Sequence, residues 1–374
     1  MKKSAFLLAL FNVVLSTPLM ADSTPKVKFL DEYIIQQELK FQNTTVGGLS
    51  SIDYADGYFY LISDHGGGKR SNILGEPRYY KADIKIANDK IENVEFLSTV
   101  NLIPKGVSTN GVDPESLRVI NQTGQYIWSC EGSAKHGIAP AVYISELAQQ
   151  PNQLTSKLSL PNHFKINKNT GPRNNAVFEG ISLSNDGKGA WVGMEGPLKQ
   201  DAQEPTLTQG ALVRLSYFNL STGLIERQFA YNLDALPNEP KAKPDAFRTT
   251  GLVEVLQLAD NRFLLMERAY TSGLEDGGNR VKLYLVDASA ATDTKAFDSL
   301  KDKPIIPAKK QLLLDLASVE KQFGSKRVDN IEGITFGPKL ASGNASLLLV
   351  SDDNFNTFGD QISQILLFEL IGLK

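Results

Sequence analysis

Eight carboxylates recur at matching places along this 374-residue chain, and they are the first chemistry its sequence offers. Five end short apolar runs: Asp64 in Tyr60-Leu-Ile-Ser-Asp64, Glu131 in Trp128-Ser-Cys-Glu131, Glu195 in Trp191-Val-Gly-Met-Glu195, Glu267 in Leu264-Leu-Met-Glu267 and Asp352 in Leu348-Leu-Val-Ser-Asp352. Between 16 and 20 residues before each stop, another apolar run opens on a small-residue step: Gly47-Gly-Leu49, Glu115-Ser-Leu117, Glu179-Gly-Ile181, Thr250-Gly-Leu252 and Glu332-Gly-Ile334. Three of these openings supply Glu115, Glu179 and Glu332. In an antiparallel hairpin the opening of one strand lies beside the end of the other, so stop and opening acids share an edge. Carboxylates within about 4 to 6 Å of one another oppose ionisation, and cations, arginines or protons must neutralise them. Hard oxygen donors in irregular loops suit Ca²⁺ better than Zn²⁺, which favours His and Cys, and the chain has three His and one Cys. A Ca²⁺ face built from Asp64, Glu115, Glu131, Glu179, Glu195, Glu267, Glu332 and Asp352 is therefore expected. Arg268, Arg173, Arg70, Lys135 and His136 lie in the same loops and offer an alternative, metal-free neutralisation of some acids. A lone acid at a strand end is ordinarily a solvated turn residue; recurrence at five equivalent positions is what argues for a site.

Elements that would position these acids follow from the repeat. Self-similarity at a spacing of about 65 to 85 residues indicates a repeat architecture. Each unit holds two further strand-like runs: Arg78 to Ile86 and Val94 to Val100 in the first unit, Val281 to Val286 and Gln311 to Leu316 in the fourth. Four strands per unit in radial repetition make an all-β β-propeller of five four-stranded blades. The fifth unit ends one strand short after Ile362 to Leu370, and the run from Val27 to Leu39 is placed to supply it and close the ring. Long intervals leave room for a degenerate sixth sheet between Ser289 and Ser325. Turns inside the hairpins are short, as at Ala55-Asp-Gly57 and Asn185-Asp-Gly187, whereas the long links gather on the acidic edge, where binding and catalysis are usually built.

Composition is that of a globular protein: 41% hydrophobic, 22% charged, formal charge −3, with no basic stripe that would serve nucleic acid. Met1-Lys-Lys3, the apolar run Ala5 to Leu15 and Leu19-Met-Ala21 have the parts of a secretory signal peptide over residues 1–21, with a single propeller domain over 22–374. This implies a periplasmic or secreted protein. No stretch approaches the roughly 20 apolar residues of a membrane span. With Cys130 alone, no intrachain disulfide forms, and a monomer is the expected state.

The motifs Asp113-Pro-Glu-Ser-Leu117, Phe178-Glu-Gly-Ile181 with Met194-Glu-Gly-Pro197, Leu264-Leu-Met-Glu-Arg268, and Ile331-Glu-Gly-Ile334 with Val350-Ser-Asp-Asp-Asn354 together resemble the phytase-like family, a domain described as having the esterase-like activity of phytase. The resemblance runs from about Gly47 to Leu370. It implies an exported propeller, named by analogy with calcium-dependent propeller phytases, with a phosphoester or carboxyl-ester hydrolase site on the acidic face. Carried over by position, its acids are Glu115, Glu131, Glu179, Glu195, Glu267, Glu332 and Asp352, with Arg173 and Arg268 as basic companions; Gly47 and Thr250 depart from the acidic pattern. Such a site would hold Ca²⁺ against a small-molecule ester or phosphoester. Glu179 and Glu332 would be essential, Arg173, Arg268 or Lys135 would stabilise developing charge, and His65 or His136 would act as general acid. No Gly-x-Ser-x-Gly nucleophile elbow is present, which fits direct attack by water. A binding propeller with structural metal and a lactonase-type calcium propeller are the alternatives. Gly66-Gly-Gly-Lys69 lacks phosphate-loop spacing, Ser184 to Trp191 reads as a hairpin turn, and Trp128, Trp191 and Cys130 read as core.

Overall fold

The computed structural model describes residues 25–64, 76–102, 112–147 and 154–372. Alternation of inward apolar and outward polar residues sets the strands, and Gly, Asn and Asp set their turns. In the first hairpin, Asp56 and Gly57 have φ of 50° and 83°, a turn whose twist matches that of its flanking strands. Strand β1 (Lys26–Ile34) and a small hairpin of β2 (Lys40–Phe41) and β3 (Thr44–Thr45) precede the repeats. The first blade is β4 (Ser51–Ala55), β5 (Tyr58–Ser63), β6 (Arg78–Ala87) and β7 (Lys90–Asn101). The second is β8 (Pro114–Ile120), β9 (Gln125–Cys130), β10 (Ala141–Glu146) and β11 (Leu154–Lys157). The third is β12 (Phe178–Leu183), β13 (Gly189–Met194), β14 (Leu212–Asn219) and β15 (Ile225–Asn232), and the fourth β16 (Arg248–Ala259), β17 (Arg262–Thr271), β18 (Asn279–Asp287) and β19 (Lys309–Asp315). The fifth is β20 (Ile331–Lys339), β21 (Ala345–Ser351), β22 (Gln364–Ile371) and, in fourth place, β1.

Ring closure therefore joins the first and the last of the described strands. Strand β1 pairs antiparallel with β22 from Lys26 opposite Ile371 to Ile34 opposite Gln364, which covers an edge that would otherwise present unpaired backbone. Between Ser289 and Ser325 there is no separate sheet: β19 is the outer strand of the fourth blade, and loops and short 3₁₀ turns surround it. The blade number is five.

Apolar side chains fill the wedges between blades. One cluster joins the second, third and fourth blades through Ile127, Phe178, Trp191, Phe229 and Phe263, with the Trp191 ring 5.0 Å from that of Phe263 and 5.2 Å from that of Phe229. Separate clusters fill the fourth-to-fifth, fifth-to-first and first-to-second contacts. Trp128 is fully buried, stacked against Tyr143 and donating from its indole N–H to Ser145 Oγ at 3.1 Å, as expected for a packed aromatic between blades. Among the described residues no helix is long and apolar enough to cross a membrane. Residues 1–21, expected to be a signal peptide, lie outside the described residues.

Candidate functional site

The innermost strand of a blade must bring its acid to the axis, and a local irregularity does so. The register of β8 against β9 slips between Pro114 and Leu117, that of β12 against β13 between Phe178 and Ile181, and that of β20 against β21 between Ile331 and Gly333. These bulges contain Glu115, Glu179 and Glu332. A β-bulge bends its strand and re-aims one side chain, which is how three opening acids leave the regular alternation and turn toward the mouth. The stop acids share a second device. The N–H of Glu131 donates to the carbonyl of Asp113 at 2.9 Å, that of Glu195 to Val177 at 2.8 Å, that of Asp352 to Asn330 at 2.9 Å and that of Asp64 to Gly48 at 2.7 Å. One more rung beyond the hairpin thus anchors the carboxylate beside the opening of its own blade.

The result is a tight acidic cluster at one end of the axis. Asp64, Asp113 and Glu115 bring carboxylate oxygens within 4.8 Å of one another, as do Glu115, Glu131 and Glu179, with Glu115 common to both groups. On the opposite side of the mouth, Arg268 Nη2 lies 3.5 Å from Glu195 Oε1 and 3.2 Å from Glu332 Oε1. Burial drives the electrostatics first and like charge second. Desolvation, then the charges of Glu179, Asp64, Asp113 and Glu131, hold the Glu115 carboxyl well above the usual range. Glu131 is raised by burial and by Glu195 and Asp113, and Glu179 by burial and by Glu195, Glu131 and Glu332. Burial raises Asp352 too, reinforced by Glu332. Burial lifts Glu195 to about 7 although Arg268 opposes the shift, and Glu332 is raised on the same balance. Burial alone would lower the Arg268 guanidinium, but Glu332, Glu195, Glu179 and Asp352 outweigh it and hold the group firmly charged.

Seven of the eight expected acids thus converge: Asp64, Glu115, Glu131, Glu179, Glu195, Glu332 and Asp352. Glu267 is the exception. Strand β17 does not end there but continues to Thr271, so Glu267 sits mid-strand and alternation turns it away from the side that Arg268 faces. Its carboxylate accepts from Tyr231 Oη at 2.5 Å, from the Asp234 N–H at 2.9 Å and from Lys310 Nζ at 2.6 Å, in the wedge between the third and fourth blades. Of the two openings that lack an acid, Thr250 already carries a Cβ and nothing in the structure explains the missing carboxylate; the crowded position is the following Gly251, where an added Cβ would lie 2.3 Å from Glu195 Cγ. At Gly47 the opening position itself is crowded, since a Cβ there would lie 2.8 Å from Asp353 Oδ1. Asp353 Oδ1 instead accepts the N–H of Gly48 at 2.8 Å.

Basic and histidine candidates are less centred. Arg173 donates to the carbonyls of Pro197 at 2.5 Å and Ala202 at 3.0 Å, clamping the loop after β13 rather than pairing with the converged acids. His136 is exposed on a 3₁₀ turn after β9, its Nδ1 2.8 Å from Ser133 Oγ; the exposed Lys135 beside it donates its backbone N–H to Asn174 Oδ1 at 2.9 Å. His65, Arg70 and the Gly66 to Lys69 segment lie outside the described residues. Cys130 is a core thiol, pushed up to about 12 chiefly by burial, and so is not a nucleophile at neutral pH.

Three partners escaped the repeat pattern. Asp113 joins the mouth from the residue before β8 and was visible as the first acid of Asp113-Pro-Glu115. The others, Arg118 and Glu254, lie below the mouth with Arg118 Nη2 2.7 Å from Glu254 Oε2, and no sequence spacing links them.

A phytase-like family model, described as "Esterase-like activity of phytase", matches residues 44–355, more than half of the chain. The chain belongs to the phytase-like family. No curated protein matches this phytase-like sequence. Among solved structures it is similar to a GH43_1 enzyme from Xanthomonas citri complexed with xylose, at 12% identity and TM-score 0.45, covering 86% of each chain. It is similar also to an exo-beta-1,3-galactanase from Phanerochaete chrysosporium, at 11% identity and TM-score 0.47, covering 90% of this chain and 64% of that one. A PQQ-bound aldose sugar dehydrogenase from Streptomyces coelicolor aligns at 12% identity and TM-score 0.37 over 91% and 98% of the two chains.

Proposed function

We propose that this phytase-like propeller is an exported hydrolase of phosphoesters or carboxyl esters whose acidic mouth holds Ca²⁺. The observation that carries the reading is the convergence of buried carboxylates on one axial mouth with Arg268 as the guanidinium among them. The donor set fits a hard cation: oxygens from two carboxylate triplets that share Glu115, with no imidazole or thiolate among them. Asp64, Asp113, Glu115, Glu131 and Glu179 would hold the ion or ions, and bound Ca²⁺ would bring positive charge to a phosphate or carbonyl oxygen. Arg268 is fixed by Glu195 and Glu332, and its Nε has no hydrogen-bond partner among the described residues, so the guanidinium keeps donor capacity beside the site. Glu195, lifted to about 7 chiefly by burial, with Arg268 lowering and Glu332 raising it, is poised to exchange a proton near neutrality.

A panel of nitrophenyl phosphoesters and carboxyl esters, assayed before and after chelation with metal content measured on the same sample, tests the proposal. Turnover that disappears on chelation, returns with Ca²⁺ and is abolished by Glu179→Gln or Glu332→Gln without loss of folding is the expected outcome. Bound Ca²⁺ with no turnover on any ester would leave a binding propeller in its place.

A further inference from the structure

Directly beneath the acidic mouth, the axis is occupied by a buried ion pair that touches every blade. Arg118, on β8 of the second blade, donates from Nη1 to Ser51 Oγ at 3.3 Å and to the Ile52 carbonyl at 3.1 Å in the first blade. Its Nη2 reaches the Ile334 carbonyl of the fifth blade at 3.2 Å and Glu254 Oε2 of the fourth at 2.7 Å. Glu254 in turn accepts the Ile181 N–H of the third blade at 3.0 Å, and lies 3.4 Å from Ser116 Oγ and 3.5 Å from Ser51 Oγ. Both charged side chains are almost wholly enclosed, 4% exposed for Arg118 and 1% for Glu254. A buried pair like this costs desolvation and is weak evidence of stabilisation by itself; its best-attested use is to fix one arrangement among competitors.

The arrangement fixed here is that of the ring acids. Ser116 follows Glu115, and its hydroxyl contacts Ser51 Oγ at 3.2 Å and accepts the Ile181 N–H at 3.2 Å. Gly180 follows Glu179 and rests on Glu254, where an added Cβ would lie 2.5 Å from Oε1. Gly333 follows Glu332 and packs on the backbone of Ser51 and Ile52, where a Cβ would lie 2.9 Å from each. Every opening acid thus sits one residue above the layer that the pair organises. We propose that Arg118 and Glu254 form an axial pin: positioning residues that hold the five inner strands in register so that the bulged glutamates converge, and that close the axis beneath the mouth. The pin would act on ion binding without touching the ion, and in that respect it rests on the Ca²⁺ reading above.

The test compares the full-length protein with Glu254→Gln by calorimetric titration with Ca²⁺ and by amide hydrogen exchange of peptides covering β4, β8, β12, β16 and β20. The pin predicts Ca²⁺ affinity at least about tenfold weaker, the range typical of residues that orient ligands from behind, and faster exchange in the inner strands of all five blades while the outer strands keep their protection. Unchanged affinity, or faster exchange confined to the blades carrying Glu254 and Arg118, would overturn it. If the wild-type protein binds no Ca²⁺, the metal reading fails and the exchange pattern alone decides the pin. Should Glu254→Gln not fold, Ser116→Ala, which removes only the bridging hydroxyl, is read by the same two measurements with the same criteria.

Discussion

Removing divalent metal should make this protein a pH-sensitive one, with stability falling as the solution becomes more alkaline. In the folded state Glu195 titrates at about 7, whereas an unfolded glutamate titrates near its ordinary value of 4.5. Between those values the folded chain retains a proton that the unfolded chain has lost, so raising the pH favours unfolding, and the full penalty is in place above the folded value. That difference of roughly 2.5 pH units corresponds to about 3.4 kcal/mol for Glu195 alone. Burial raises Glu115, Glu131, Glu179 and Asp352 in the same direction, so they add to the loss. At an unfolding entropy of about 2.1 cal/mol/K per residue, roughly 350 residues convert 3.4 kcal/mol into a fall in Tm of about 5 °C. Part of the penalty is already in place at pH 5, so differential scanning fluorimetry in chelator from pH 5 to pH 8 should read about 2.5 kcal/mol of it, a fall of about 3 °C for Glu195 alone, and saturating Ca²⁺ at pH 8 should recover the loss, because an ion bound only by the folded state stabilises it. A chelated protein that melts at the same or a higher temperature at pH 8 than at pH 5, and that ignores Ca²⁺, would refute the picture of gathered, buried carboxylates.

Three substitutions separate the parts of the site. Arg268→Met leaves Glu195 and Glu332 without their shared guanidinium; breaking a buried pair typically costs about 3 to 5 kcal/mol, so chelated melting should drop by several degrees and the Ca²⁺-dependent recovery should grow. Glu267→Gln disturbs only the Lys310, Tyr231 and Asp234 contacts; a loss of about 1 to 3 kcal/mol in denaturant unfolding with unchanged Ca²⁺ affinity in titration is expected. Gly251→Ala places a methyl 2.3 Å from Glu195 Cγ, and displacement of that carboxylate should be read as a pH dependence of melting weaker than that of the wild type.

The fold was legible because the propeller writes itself twice into each unit, once as apolar runs of strand length and once as the acid that ends them. Even the closing strand could be placed, since the fifth unit lacked one and Val27 to Leu39 had the pattern to supply it; the structure uses Lys26–Ile34. Glu267 shows the limit of that signal. A run that looks finished at Leu-Leu-Met-Glu continues for four residues, and in a strand a shift of one position decides between the mouth and the wedge, so Arg268 faces the site and its neighbour does not. Bulges carry the opposite lesson: strict alternation would send some of Glu115, Glu179 and Glu332 elsewhere, and only the extra residue before Leu117, Ile181 and Gly333 turns them inward. Arg118 and Glu254 were out of reach for a third reason. Each sits within an apolar run, Leu117-Arg-Val-Ile120 and Leu252-Val-Glu-Val-Leu256, where a charge has meaning only once a partner 136 positions away is known to share the axis. Charges inside apolar strands are the residues a closed ring can pair at its centre and an isolated hairpin cannot, so in a propeller they mark what the blades do together, whereas the repeated acids mark what each blade contributes alone.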